Sequence, residues 1–384
     1  MYSKRLTAEV RRFNAAEPIE EARTPPSSWY LDESIFRLEL DAVFGQNWHY
    51  VGHKNELPDK GTYVTTQMGR NPVVAVHDGE RVNIMHNVCR HHAACVMEGK
   101  GACEALVCPY HGWTYHLDGS LKRAPKIAGI SGFSREEMAL PQLPQAAIGP
   151  LLFAHPGQAE ESAQWEEKMR SLHEQFDAFG WSHLTFVRSR TYPIKCNWKV
   201  FVDNYLDGGY HVSLLHKGLA GQLNLADYEN HAGDGYTIQT CKGRPDEVKP
   251  SADQEERAHG LDFRARIGQG AIYAWIYPNL MINRYGGMMD TNLVVPLGPD
   301  HCEVHYAYFA DEAVAADAQQ LEDSLAASHQ VQIEDTAICE SVQRGLQSSA
   351  YDVGYYAPQL ESGAHLFHRW LQKDFFRALD DLSD

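Results

Sequence analysis

The chain lacks several things that would narrow its reading. No apolar run in its 384 residues approaches the ~20 that a membrane-spanning helix needs. The first residues, MYSKRLTAEVRRFNAAEPIEEA, contain no continuous apolar stretch of the secretory kind and carry too many acids for a transit segment. A cytoplasmic location is therefore the expectation. Basic residues are in deficit: 34 Lys and Arg stand against 51 Asp and Glu, a formal net charge of −17. That balance argues against nucleic acid, whose phosphates demand a basic surface. It fits a cationic substrate or a basic partner as well as plain solubility. Internal repeats, low-complexity tracts and C-x-x-C pairs are absent, and no flavin or NAD fingerprint follows a predicted strand.

What is present is unevenly distributed. Of eight cysteines, Cys89, Cys95, Cys103 and Cys108 fall within twenty residues, among histidines. A cytosolic chain of this length does not use such a group as a disulfide framework, so the density asks for a metal reading. The pattern is Cys89-x-His91, sixteen residues, then Cys108-x-x-His111. Each half offers one thiolate and one imidazole, so that two thiolates suit one iron and two imidazoles the other, as in a Rieske 2Fe–2S centre. The same four ligands also suit tetrahedral zinc. A plant-type ferredoxin spacing fails, because His111 stands where a third cysteine is needed. Cys95 and Cys103 are expected as buried thiols, His92 as a loop residue, and Trp113 as a ring packed over the site.

Around these residues, short strands alternate with turns: YVTTQ, PVVAV, RVNIMHNV, ALVC and TYHL between about 61 and 120. Before them, 32–46 reads as an amphipathic helix with Ile35, Leu38, Leu40, Val43 and Phe44 on its apolar side. After them comes a Pro-, Ala- and Gly-rich stretch at 141–157, near whose end we place a domain boundary. Residues 158–178 and 195–207 read as helices. Strands return at 270–310, followed by helical runs at 312–346 and 363–380. This order predicts an α+β fold: an all-β domain, then a helix-flanked antiparallel sheet. The predicted segments are 1–45, a helical segment packing on the second domain; 46–157, the β-domain; and 158–384.

The second domain carries a weaker signal. His211 and His216 lie about 140° apart on a regular helix, so a shared metal requires the helix to bend or end between them. Gly208 and Gly209 soften the backbone just before. Alone, the two histidines are equally readable as core or surface residues. A facial triad needs a carboxylate. On the run VQIEDTAICESVQRGL, with Val331 at 0°, Ile338, Val342, Leu346 and Cys339 span about −20° to 80°. Asp335 falls at about 40°, inside that apolar sector, and Glu334 at about −60°, off its edge. A carboxylate on a buried face is costly unless paired or metal-bound, so Asp335 leads and Glu334 follows; an ordinary buried pair with a base is the alternative.

The two motifs in this order, CRH…CPYHGWTY and NWKVFVDNY…YHV…H, resemble the α-subunits of Rieske non-haem iron oxygenases. Three stretches are most similar to the plant choline monooxygenase branch: CNWKVFVDNYLDGGYHVSLLHKGLA, IYPNLMINRYGGMMDTNLVVPLGP and QIEDTAICESVQRGL. The resemblance implies a 2Fe–2S cluster on Cys89, His91, Cys108 and His111, and a mononuclear Fe(II) on His211, His216 and Asp335. It implies O₂ as co-substrate, a separate NAD(P)H-dependent reductase or ferredoxin, and a homotrimer or dimer of trimers. In the family an acid before the first iron-binding histidine bridges the two centres. Many members place it three residues before, where this chain has Gly208. Asp207 is the expected bridge, with Asp203 behind it and Asn204 beside it at the catalytic centre. His92 stands where many relatives have Arg. The implied substrate is a small quaternary or tertiary amine, caged by rings drawn from Tyr205, Tyr210, Trp275, Tyr277 and Tyr285. An aromatic ring-hydroxylating or demethylating oxygenase is the alternative, and a stand-alone Rieske electron carrier a third reading.

Overall fold

A computed structural model of the chain describes residues 4–157, 162–244, 261, 263–268 and 270–380. It divides into two compact units: residues 44–170, and residues 1–43 together with 171–384.

The first unit is built from antiparallel β-structure. Strands Val82–His86, Asn71–His77, Thr62–Met68 and Lys100–Ala102 form one sheet in that order. Three short strands, Leu106–Val107, Thr114–Tyr115 and Leu121–Arg123, form a second. Between them lies a core of Val74, Val76, Met85, Trp113, Tyr115 and Leu121 that also holds Cys89 and Cys108. The stretch 141–157 carries regular structure. Its residues Gln145–Ile148 and Leu151–Ala154 form a hairpin that pairs with His49–His53. Leu151, Phe153 and Ala154 are fully buried, and Gly149 makes the turn at φ 53°. The apolar run LLFA outweighs the flanking prolines. The helix Ser162–Lys168 belongs to this unit as well.

The second unit is organised on a seven-stranded antiparallel sheet. Its order is Thr185–Ile194, His301–Ala310, Met288–Gly298, Leu280–Arg284, Gly270–Ile276, Tyr236–Lys242 and Glu229–Gly233. The strands at 185–194, 229–233 and 236–242 are not evident in the sequence, where charged and polar residues interrupt the alternation. Helices Trp198–Tyr205 and Ala318–Leu346 pack together, and the first lies on the sheet. The closing helix Ser362–Asp380 receives the N-terminal helices Lys4–Val10 and Glu33–Ala42.

The Glu33–Ala42 helix is shorter than expected, with Asp32 capping it through Ser34 N–H at 2.7 Å. Val43 and Phe44 are buried beyond its end, Leu40 is only half-buried, and Glu39 is on the inner face. Glu39 is tolerated there because it meets the Lys199 ammonium and the Trp198 indole N–H, the latter at 2.7 Å. A buried charge is stable only when paired and hydrogen-bonded in this way. Among the described residues, no helix is long and apolar enough to cross a membrane.

Candidate active site

In the first unit, two tight loops present the four predicted cluster residues. Cys89 N–H donates to Ala94 O and Ala93 N–H to Cys89 O, with Ala93 at φ 59°. Cys108 N–H donates to Trp113 O and Gly112 N–H to Cys108 O, with Gly112 at φ 70°. The two loops therefore fold alike and face each other. Their thiols are buried beside one another, and burial pushes the Cys108 thiol up. Their imidazoles are exposed, with ring centroids 4.7 Å apart. An inner thiol pair and an outer imidazole pair are the donor set a Rieske cluster requires. Tyr115 hydroxyl lies 3.4 Å from Cys89 Sγ and accepts Arg90 N–H at 3.0 Å. Trp113 stacks on His91 at 4.9 Å and 7°. His92 is an exposed loop residue. Cys95 and Cys103 are not buried thiols: Cys95 is exposed and Cys103 half-buried, because the core below them is filled by Val96 and Leu106.

In the second unit, His211, His216 and Asp335 converge, each offering a ligand atom within 4.8 Å of the others. The backbone meets the requirement set by their spacing. His211 starts the single turn Val212–Leu215, and the helical conformation ends at His216, whose φ and ψ are −101° and 59°. The rings stand 81° apart with centroids at 4.9 Å. Asp335 Oδ1 lies 3.0 Å from His216 Nε2 and 3.9 Å from His211 Nε2. Asn204 Nδ2 donates to the same oxygen at 2.8 Å.

The outer nitrogen of each ring is held by a second carboxylate. Asp207 Oδ2 lies 2.6 Å from His211 Nδ1 and also accepts His211 N–H at 2.9 Å. Glu334 Oε2 lies 2.6 Å from His216 Nδ1, and Gln330 Nε2 donates to its other oxygen at 2.9 Å. This carboxylate–histidine pattern fixes which nitrogen faces a metal. Burial by itself would lower His216, but the Asp335 charge, then Glu334, raise it to about 9. Asp335 is lowered: the His216 and His211 charges and the Asn204 bond overcome the rise that burial causes. A site that concentrates carboxylates until a buried imidazole takes a proton is one in which a divalent cation fits.

Asp203 is engaged elsewhere. It accepts the Tyr30 hydroxyl at 2.7 Å and lies 2.9 Å from His368 Nε2. The apolar sector predicted around Asp335 is displaced. Ile338 and Val342 are 38% and 44% exposed, while Gln332, Asp335, Cys339, Gln343 and Leu346 are buried. The glutamines turn inward because each has a partner: Gln332 Oε1 accepts the Tyr306 hydroxyl at 2.6 Å, and Gln343 Oε1 accepts Asn197 N–H at 2.9 Å.

The predicted cage residues disperse. Trp275 stacks on Trp370 at 5.6 Å, and Tyr277 donates to Asp374 at 2.7 Å, so the closing helix claims both. Tyr210 is exposed, and the Tyr205 hydroxyl is within 3.1 Å of the Ala274 and Ile282 carbonyls. Tyr285 remains, one face covered by Arg266 at 4.5 Å. Two unpredicted rings join it. Tyr273 meets Tyr285 edge-on at 5.7 Å and Tyr228 in a stack at 6.4 Å. These three share a buried cluster with Val212, Leu219 and Ala327. Tyr228 also packs on Gly209, where an added Cβ would lie 3.0 Å from its ring.

The Rieske [2Fe-2S] domain model matches residues 47–139, and the ring hydroxylating alpha subunit (catalytic domain) model matches residues 182–374. The chain belongs to the ring-hydroxylating alpha-subunit family of Rieske oxygenases. Its cofactors are a Rieske 2Fe–2S cluster and a mononuclear iron. Such subunits are oxidoreductases that use O₂ and a small substrate and take electrons from a separate reductase or ferredoxin. A catalytic domain excludes the stand-alone carrier. The chain is 41% identical to a chloroplastic choline monooxygenase of Arabidopsis thaliana, over 94% of this chain and 84% of that one. It is 28% identical to a carnitine monooxygenase oxygenase subunit of Acinetobacter baumannii, over 86% and 87%. A solved quaternary ammonium Rieske monooxygenase shares its fold at a TM-score of 0.80 and 24% identity, over 94% and 97%.

Proposed function

We propose that this oxygenase hydroxylates a C–H bond of a small quaternary or tertiary amine such as choline, carnitine or a betaine. The observation that carries the reading is the group of three tyrosine rings, Tyr228, Tyr273 and Tyr285, in the same apolar cluster as Val212, the residue after His211. Tyrosine faces attract a desolvated cation by about 2 kcal/mol, and Arg266 already uses one of them. The activities named for the amine-oxidising relatives support the same class.

In this reading Cys89, His91, Cys108 and His111 hold the cluster, and His211, His216 and Asp335 hold the iron. Bound there, iron(II) supplies O₂ activation beside the substrate. Asp207 and Glu334 hold the imidazoles in the tautomer that turns Nε2 inward. Asn204 orients the Asp335 carboxylate. Asp207 is also the bridge toward a neighbouring subunit's cluster in a head-to-tail trimer, a heterologous ring. Exposed Ile338, Val342 and Tyr351 line the same cavity as Asp207, an apolar surface such a neighbour would cover. Eight cysteines outside disulfides support a reducing compartment, which we assign as the cytoplasm.

The deciding experiment is O₂ uptake with a surrogate reductase across choline, carnitine, betaines and simple aromatics, with product identification. Hydroxylation of an N-methyl carbon releases formaldehyde; hydroxylation of the choline alcohol carbon gives an aldehyde hydrate. Coupled uptake with an amine is expected. Uptake coupled to aromatics alone overturns the assignment.

A further inference from the structure

Three cysteines outside both metal sites meet inside the second unit. Cys196, Cys302 and Cys339 are each almost fully buried. They come from three elements: the turn before helix Trp198–Tyr205, strand His301–Ala310 and helix Ala318–Leu346. Ile194 pairs with Cys302 across the sheet, two residues before Cys196. Lys195 N–H donates to Glu340 Oε1 at 3.1 Å and Asn197 N–H to Gln343 Oε1 at 2.9 Å. These bonds clamp residue 196 onto the helix face that carries Cys339. The Cys196 thiol has both the Cys302 and the Cys339 thiols as neighbours and is the middle member of the three.

A buried cysteine alone reads as a small apolar residue. Here a second feature adds access. A cavity of about 240 Å³ is lined by Asn204, Asp207 and Cys339, and neither Cys196 nor Cys302 is in its wall. Asn204 and Asp207 are the residues that touch Asp335 and His211. Cys339 follows Asp335 by one helical turn. Peroxide that enters this cavity, on the side of Asn204 and Asp207, therefore reaches one thiol of the three.

We propose that Cys339 and Cys196 are an oxidative modification site at which hydrogen peroxide forms a reversible disulfide that slows turnover. Only the source of the peroxide rests on the functional reading above: O₂ reduced at the iron site without hydroxylating a substrate. The Cys339 sulfur gives two electrons to the peroxide O–O bond, yielding a sulfenic acid and one water. The Cys196 sulfur then attacks it, the S–S bond forms, the S–O bond breaks, and the hydroxide leaves with the thiol proton as a second water. Two thiols and one H₂O₂ become one disulfide and two waters. A disulfide draws its sulfurs to about 2.05 Å, closer than two thiols in non-bonded contact. The shortening pulls the turn after Asp335 toward residue 196. A misplacement of about 1 Å at a reacting centre costs up to about a hundredfold in rate.

The test uses the reduced holoenzyme, treated with a few equivalents of H₂O₂, alkylated and mapped by mass spectrometry, with the Rieske visible spectrum followed in parallel. A Cys196–Cys339 linked peptide is expected. Turnover should fall about tenfold and return with dithiothreitol while the spectrum is unchanged. Cys339→Ala and Cys196→Ala should keep basal turnover and lose the peroxide response. Full alkylation of all three thiols after unfolding overturns the proposal, as does a Cys196–Cys302 link in place of the expected one. So does a wild-type response that Cys339→Ala retains. Because added peroxide needs no turnover, the mapping fails or succeeds independently of the substrate assignment.

Discussion

Asp335 and Glu334 are neighbours in sequence with different work. Asp335 turns its oxygen between the two Nε2 atoms, and Glu334 grips the far side of His216. Asp335→Ala should therefore lose the mononuclear iron and turnover while keeping the Rieske absorbance. Glu334→Gln should keep the cluster and lower iron affinity or activity about 10–100-fold, as groups behind a ligand do. Metal analysis and turnover separate the two; equal iron loss in both variants would show that Glu334 is itself a ligand. His216 adds a pH dependence. Its proton, held up to about pH 9 by Asp335 and Glu334, must leave when a metal takes Nε2. Apparent affinity should rise with pH below that value, about tenfold per unit for one displaced proton, and level off above it. Cobalt(II) titrations of metal-free protein would show this, and an affinity independent of pH over the range would contradict it.

At the level of the element, the segment between Tyr205 and His211 explains the family departure. Gly208 has φ +68°, and a Cβ there would lie 2.3 Å from the Leu360 carbonyl oxygen and 2.8 Å from Asn230 Nδ2. The position three residues before the first histidine therefore cannot carry a carboxylate in this backbone. The carboxylate held against His211 comes from the preceding residue, Asp207, whose Oδ2 reaches across the turn to His211 Nδ1, and the proposed bridge rests on it. Gly208→Ala should cost about 1–3 kcal/mol through strain alone and shift His211. A lower melting temperature and reduced iron content are expected, and an unchanged melt would show that the turn relaxes freely. The long helix teaches a related lesson. Its wheel put Asp335 in an apolar sector, yet the buried stripe is half polar, because Tyr306 and Asn197 provide partners for its glutamines.

For the molecule as a whole, the exposed apolar residues Ile338, Val342 and Tyr351 beside Asp207 make association the expectation. Sedimentation at micromolar concentration should give a trimer or a dimer of trimers. A stable, active monomer would remove the inter-subunit bridge.

The candidate cluster residues stand out in the sequence because a metal loop carries its donors at short, fixed spacings, Cys89 with His91 and Cys108 with His111, whereas His211, His216 and Asp335 are far apart in the chain and meet only in the fold. The α+β order and the helix bearing Asp335 were legible too, since periodicity is local. The second-sphere assignments were not. A linear reading puts Asp207 first and keeps Asp203 behind it; the contacts with Tyr30 and His368, more than 160 residues away, draw Asp203 aside. Residue 216 came to lie against Glu334, and the tyrosine cluster formed when strand pairing brought Tyr273 and Tyr285 together beside Tyr228. Donor identity is a property of the residue and its near neighbours. Which acid supports which ligand, and which rings face a substrate, are properties of contacts between distant segments, and packing alone decides them.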